Sequence, residues 1–232
     1  DGTGFAALLI CPMFLNEGFP DLPDGWLKPV AEVVRRAGGV LICDEVQSGF
    51  GRTGTHFWAY QKMDALPDIV TMGKPMANGH PVGAVVTRPE IMAIFRNSFS
   101  YFNTFGGNPV SCAAAMAVLE EIEAADLTAN ALTVGTYARE RLSALMERYP
   151  VIGNVRGMGL VFGAEMVLDR DSMSPATAYT DRVVNAMRAR GVAPAGTRTM
   201  SSPASCEPGE RKVGLSSTRS TSPSPSRPPR II

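Results

Sequence analysis

The sequence predicts an α/β fold built on a mainly parallel sheet, followed by a smaller α+β unit. Three observations predict it. Short apolar runs bounded by Gly, Pro or charge recur at residues 5–11, 39–44, 68–73 and 82–87, as buried strands do. A stretch with helical spacing separates the first two, so strand, helix and strand form a right-handed crossover and a parallel pair. Two runs also end in charge: Val40-Leu41-Ile42-Cys43 leads into Asp44-Glu45, and Asp68-Ile69-Val70-Thr71-Met72-Gly73 leads into Lys74. In an open α/β sheet, ligands bind at that carboxyl edge.

The first helix is expected from Gly25 to Ala37, with Trp26, Leu27, Val30, Val33 and Val34 at helical spacing and Gly38-Gly39 as its stop. A short helix, Pro89 to Phe95, follows the fourth run. Asn108-Pro109 opens an Ala-rich helix through Glu123. Proline suits the first turn because its missing N–H would have no partner there, and Ala113 to Ala117 is a strong helix-forming stretch. A second long helix runs from about Leu127 to Arg148, and Pro150 ends it. Then come a strand (Val151 to Val155), a Gly-rich turn (Arg156-Gly157-Met158-Gly159), a strand (Leu160 to Val167), a loop and a helix (Ala176 to Arg190). This reads as a separate α+β unit, so a boundary is placed near Pro150, dividing 1–150 from 151–193.

From Pro194 the composition changes. The last 39 residues, 194–232, hold 7 Pro and 9 Ser, no aromatic residue and no periodic apolar face. Such a segment cannot bury enough surface to offset its ordering entropy. It reads either as a natural disordered tail or as a stretch where the reading frame is lost. The second is favoured, because the change falls abruptly where Gly191-Val192 should lead into another strand.

Apolar residues make up 45% of the 232, enough for a sizeable core. The 22 basic and 22 acidic side chains balance, which argues against nucleic acid as the main partner. The balance is uneven along the chain: 16 basic and 20 acidic residues in 1–193, 6 and 2 in 194–232. Cys11, Cys43, Cys112 and Cys206 show no CxxC spacing, and three lie in apolar or Ala-rich stretches, where a reduced thiol behaves as a small hydrophobe. A cytoplasmic protein without disulfides or a metal site is expected. The sequence shows no apolar run of membrane-spanning length and no basic start followed by an apolar stretch, so neither a membrane span nor a signal peptide is expected. Asp1-Gly2-Thr3-Gly4 runs straight into Phe5-Ala6-Ala7-Leu8-Leu9-Ile10-Cys11, like a core strand entered from an absent partner, so a fragment is expected.

An acid and a lysine at one sheet edge, thirty residues apart, suit pyridoxal 5'-phosphate (PLP). That cofactor needs a carboxylate for its pyridine nitrogen and an amine for a Schiff base. A carboxylate ending a core strand must find a partner or shift its pKa, and a protonated ring nitrogen is such a partner. Val46 could pack on a ring face, and the Gln47 amide can donate to a phenolate oxygen. An amine in a partly desolvated pocket becomes a usable nucleophile. The glycines around Lys74, in Gly73 and in Asn78-Gly79-His80-Pro81-Val82-Gly83, let backbone approach a ligand. Thr104-Phe105-Gly106-Gly107 before a helix start offers a hydroxyl and amides to an anion. Plainer readings stand beside each: a surface lysine, a helix N-cap for Asp44, core packing for Val46, a capped turn for Thr104. His80 reads as a turn residue and His56 lacks a partner acid. Glu120, Glu121 and Glu123 read as a solvated helix face.

Three ordered blocks then carry a family resemblance. Asp44-Glu45-Val46-Gln47-Ser48-Gly49-Phe50-Gly51-Arg52-Thr53-Gly54, Pro67-Asp68-Ile69-Val70-Thr71-Met72-Gly73-Lys74 and Thr104-Phe105-Gly106-Gly107-Asn108-Pro109 resemble the signature blocks of class III aminotransferases. These are PLP enzymes of fold type I that act largely on ω-amino groups. Gly73-Lys74-Pro75-Met76 with Gly79-His80-Pro81 is most similar to the branch holding alanine–glyoxylate-type and ethanolamine-phosphate-type members. The match covers roughly residues 3–193, far more specific than one loop pattern.

The resemblance implies part of the large PLP-binding domain and part of the small C-terminal domain, which Arg156-Gly157-Met158-Gly159-Leu160 would open. Lys74 would form the Schiff base and shuttle the proton. Asp44 would bind the pyridine nitrogen, Val46 would pack on the ring and Gln47 would contact the phenolic oxygen. Thr104 would reach the cofactor phosphate of the neighbouring subunit, which implies a homodimer with a shared site. The family's N-terminal half, with its Gly-Ser/Thr phosphate loop and ring-stacking aromatic, is absent from this sequence. Arg227-Pro228-Pro229 spells the family's substrate-carboxylate motif but lies in the anomalous tail and is not assigned that role. The implied activity moves an amino group from an ω-amine or amino acid donor to a 2-oxo acid such as pyruvate. A phospho-lyase acting on an amino-alcohol phosphate, using the same Lys74 and Asp44, is the first alternative. A catalytically silent fragment is the second.

Overall fold

All four apolar runs form strands in the computed structural model, which describes residues 4–192 and 194. Strand β1 (Ala7–Ile10) leads through a loop to helix α1 (Leu27–Arg36) and back to β2 (Val40–Asp44). After a one-turn helix α2 (Ala59–Lys62) come β3 (Ile69–Met72), a 3-10 turn (Lys74–Ala77) and β4 (Ala84–Thr87). The sheet order is β1-β2-β3-β4. The first two pairings are parallel, with Leu8 beside Leu41 and Asp44 beside Thr71. β4 runs antiparallel to β3, placing Ala84 beside Met72.

Period and chemistry explain these elements. β2 alternates half-buried and buried residues, sinking Leu41 and Cys43 to zero exposure. Helix α1 buries Leu27, Ala31 and Val34 from one face. Leu27 and Ala31 meet Met13, Leu15, Leu41, Cys43, Ala59, Met63 and Ala65 in the core. Burying a side chain of Leu27's size contributes about 2 kcal/mol. The helix starts at Leu27 rather than Gly25, because Gly25 sits in the left-handed region at φ +72°. At the amino ends of β2 and β3, Asp68 is buried and accepts from the Leu41 N–H at 2.8 Å, while Arg88, just past the end of the antiparallel β4, pairs with it at 2.8 Å. That clamp fastens three strands at one edge, leaving the carboxyl edge for the site.

Helices α3 (Pro89–Ser98), α4 (Pro109–Ala124) and α5 (Leu127–Arg148) follow. Then β5 (Ile152–Met158), β6 (Val161–Asp169) and β7 (Ser174–Pro175) form an antiparallel sheet ahead of α6 (Thr177–Arg188). The expected four-residue turn at Arg156–Gly159 is corrected: Arg156, Gly157 and Met158 belong to β5, and only Gly159-Leu160 turns. Gly157 makes this possible at φ +126°, packed against the Phe162 backbone. The hairpin tip seats on the preceding chain, with the Leu160 N–H donating to the Arg52 carbonyl at 2.9 Å. Helix α5 meets the tip through Gly135, where any Cβ would fall inside the Gly159 carbonyl group. The sequence pattern also missed α2, the 3-10 turn and β7, each too short to show a period.

Cys43 is buried and Cys11 half-buried, as small hydrophobes, whereas Cys112 is exposed on α4. No helix of the described residues is long and apolar enough to cross a membrane. The readings made for 194–232, including those of Arg227 and Cys206, lie outside the described residues apart from residue 194.

Candidate functional site

The parallel pairing of β2 and β3 brings Asp44 and the Lys74 segment to one edge. Asp44 is the last residue of β2, and Lys74 follows β3 by two residues. The Glu45 N–H donates to the Thr71 carbonyl at 2.9 Å, holding the chain in step beyond the last paired residues. The half-buried Asp44 carboxylate accepts through Oδ1 from the Val46 N–H at 3.0 Å and from the Thr71 hydroxyl at 3.4 Å. Its Oδ2 carries no hydrogen bond, and no cation pairs with it, among the described residues. The N-cap reading of Asp44 is partly met, since its bond to Val46 is a local Asx-type turn rather than a helix cap.

Val46 stands beside Gly73, where a Cβ would meet the two Val46 methyls at 3.8 and 3.9 Å. Lys74 then turns sharply at φ +22°. Its side chain is exposed and makes no hydrogen bond or ion pair among the described residues. Gln47 is directed elsewhere in this structure: its Nε2 donates to Asn16 Oδ1 at 3.0 Å, in the loop after β1. Thr104 lies in an exposed turn before α4, and no hydrogen bond ties it to the other four residues among those described. The turn is shaped by Asn103, whose Oδ1 accepts from the Phe105 and Gly106 N–H groups at 3.2 and 2.9 Å.

The structure adds the partners of two polar groups, Glu45 and the turn residue His80. Glu45 is fully buried (0% exposed). Its Oε2 accepts from the Ser48 hydroxyl at 2.6 Å and its Oε1 from the Tyr60 N–H at 2.8 Å, so it ties the turn after β2 to α2. Burial pushes its pKa up, against the lowering effect of those hydrogen bonds and with a smaller raising effect from Asp44. Gly49 completes the turn against Trp58, whose ring a Cβ would meet at 2.7 Å. His80 pairs with the buried Ser111, with Nε2 and Oγ 2.8 Å apart, joining the Lys74 segment to α4. A Glu following Asp44 was visible in sequence, but its burial was not. Nothing local foretold the Asn16 and Ser111 contacts. Among the described residues, no cluster of three or more His, Cys, Asp or Glu side chains could hold a metal ion.

Known proteins match this chain closely. The profile of the family described as aminotransferase class-III matches residues 2–203. The chain is 48% identical over 191 residues to alanine–glyoxylate aminotransferase 2 homolog 2, mitochondrial, of Arabidopsis thaliana, covering 82% of this chain and 40% of the relative. A phospholyase from Arthrobacter, solved with phosphoethanolamine, superposes with a TM-score of 0.79 at 48% identity, covering 83% of this chain and 46% of that one. Taurine:2-oxoglutarate aminotransferase from Bifidobacterium kashiwanohense, solved with PLP and glutamate, superposes with a TM-score of 0.76 at 25% identity, covering 83% and 45%. The chain therefore spans less than half the length of these relatives.

Proposed function

The chain belongs to the class-III aminotransferases, and we propose that it contributes the lysine and the ring-nitrogen carboxylate of a PLP-dependent transaminase. The observation that carries this reading is the meeting of Asp44, Val46 and the Lys74 segment at the carboxyl edge of two parallel strands. The donor set fits PLP. The free Oδ2 of Asp44 suits a ring N–H, the Val46 methyls suit the face of a flat ring, and the unpaired Lys74 amine suits a carbonyl. Bound PLP would supply an electron-accepting ring.

The chain's own residues would do the rest. Asp44 would hold a proton on the ring nitrogen, itself oriented by Thr71 and Val46. Lys74 would attach the cofactor and then carry the proton at the substrate carbon. Val46 would set the ring plane, Gln47 would turn from Asn16 to donate to the phenolic oxygen, and Thr104 would bind a phosphate. The exposed Phe99, Tyr101, Phe102 and Phe105 around Thr104 support a homodimer with a shared site. Residues 1–150 would belong to the large PLP-binding domain and 151–193 to the small C-terminal domain.

The transfer itself would run from an ω-amine or amino acid to a 2-oxo acid such as pyruvate. The Arabidopsis relative's name supports an alanine and glyoxylate pair. The Arthrobacter structure favours a second reading, elimination of phosphate from an amino-alcohol phosphate, at the same identity. Incubating the protein that carries this chain with alanine and glyoxylate, and separately with phosphoethanolamine, tests both. Pyruvate and glycine formation supports transfer; phosphate release supports elimination; neither product would defeat both readings in favour of a silent fragment. The free thiols fit a reducing compartment, and the Arabidopsis relative's name makes the mitochondrion an alternative to the cytoplasm.

A further inference from the structure

The geometry points to His80 as a positioning residue that holds the Lys74 turn and the Thr104–Gly107 turn in one frame. This rests on the PLP reading above. Lys74 opens the 3-10 turn, and the chain continues through Asn78 at φ +46° and Gly79 at φ +102° to His80. The His80 N–H donates to the Ala77 carbonyl at 3.0 Å, so the ring is fixed relative to the turn. Its Nε2 meets Ser111 Oγ at 2.8 Å. Ser111 is buried (5% exposed) in the first turn of α4. Asn108 closes the chain of bonds. Its Nδ2 donates to Ser111 Oγ and to the Phe105 carbonyl, both at 2.9 Å, and its Oδ1 accepts from the Ser111 N–H at 3.0 Å. A continuous path of hydrogen bonds thus runs from the lysine turn to the residue after Thr104. Serine alone could cap a helix start. A buried hydroxyl shared with a side chain from another segment does more: it removes freedom between two loops that would each have to hold a cofactor, Lys74 in its own site and Thr104 at the phosphate in the neighbouring subunit's site.

The test uses the protein carrying this chain, its variants His80→Ala, His80→Gln and Ser111→Ala, and PLP as the probe. Backbone hydrogen exchange is read first, without cofactor. Ser111→Ala should speed exchange across 74–80, and His80→Ala across 104–108, each by about fivefold. PLP affinity, read from the visible band of the lysine-linked cofactor, should fall about fivefold to tenfold in both Ala variants. His80→Gln places an amide nitrogen at nearly the same reach and should restore most of it. The double variant should lose no more than either single change. Unchanged exchange in the distant turn overturns the link. Altered exchange with unchanged PLP affinity reduces it to a structural tie and overturns the positioning role. If the unaltered protein attaches no PLP at Lys74, the functional reading fails and the positioning role falls with it, while the exchange data identify that failure as separate from the link.

Discussion

Thr71 and Asp44 stand side by side across the β2–β3 pair, and the Thr71 hydroxyl donates to Asp44 Oδ1 at 3.4 Å. The strand that leads to Lys74 therefore orients the carboxylate on its neighbour. With Val46 N–H on the same oxygen at 3.0 Å, the second oxygen is turned out for another donor.

Asp44 can be dissected on that basis. Asp44→Ala loses both bonds and should destabilise the protein by about 1 kcal/mol. Asp44→Asn keeps an acceptor for Val46 but no negative charge, so it should fold like the unaltered protein yet lose turnover at least 100-fold. Thermal midpoints and initial rates check this; an active Asn variant would remove Asp44 from the site.

Lys74→Ala should abolish attachment of PLP after borohydride reduction, read as the mass of the peptide around residue 74. The side chain is exposed, so the thermal midpoint should move by no more than about 2 °C. Covalent trapping elsewhere in the Ala variant would end the assignment.

Glu45 predicts a pH effect. Burial raises its pKa in the folded state, so between its unfolded and folded values the native protein binds more protons than the unfolded chain. Stability should then fall as pH rises through that interval. Glu45→Gln should flatten that part of the profile, measured as urea midpoint against pH. Glu45→Ala should cost about 2 kcal/mol by stranding the Ser48 hydroxyl and the Tyr60 N–H.

Among the described cysteines, Cys112 should react first with iodoacetamide, because it alone is exposed. Burial pushes the Cys43 thiol up to about 12, leaving about one thiolate in ten thousand at pH 8. Peptide mapping of the folded protein should find Cys43 unlabelled until denaturant is added.

Gly135→Ala should prevent the β5–β6 turn from docking, since the new Cβ would occupy the Gly159 carbonyl, which is backbone and cannot rotate away. A loss of about 3 kcal/mol or more is expected. A thermal midpoint within a few degrees of the unaltered protein would show that α5 and the turn can part freely.

Period and punctuation made most elements legible before any coordinates. Apolar runs bounded by Gly and Pro marked the four strands of the first sheet, Asn108-Pro109 marked the start of α4, and charge at the ends of two runs marked Asp44 and Lys74. Those signals are local, so they survive without knowledge of the fold. Chain folding decided the rest. The antiparallel direction of β4, the complete burial of Glu45, the Gln47–Asn16 bond and the His80–Ser111 bond all join residues whose separation in sequence encodes nothing about their separation in space. Arg156 to Met158 illustrates the same divide: two glycines signal a turn locally, but pairing with β6 extends the strand through one of them, because Phe162 packs where a side chain would otherwise stand.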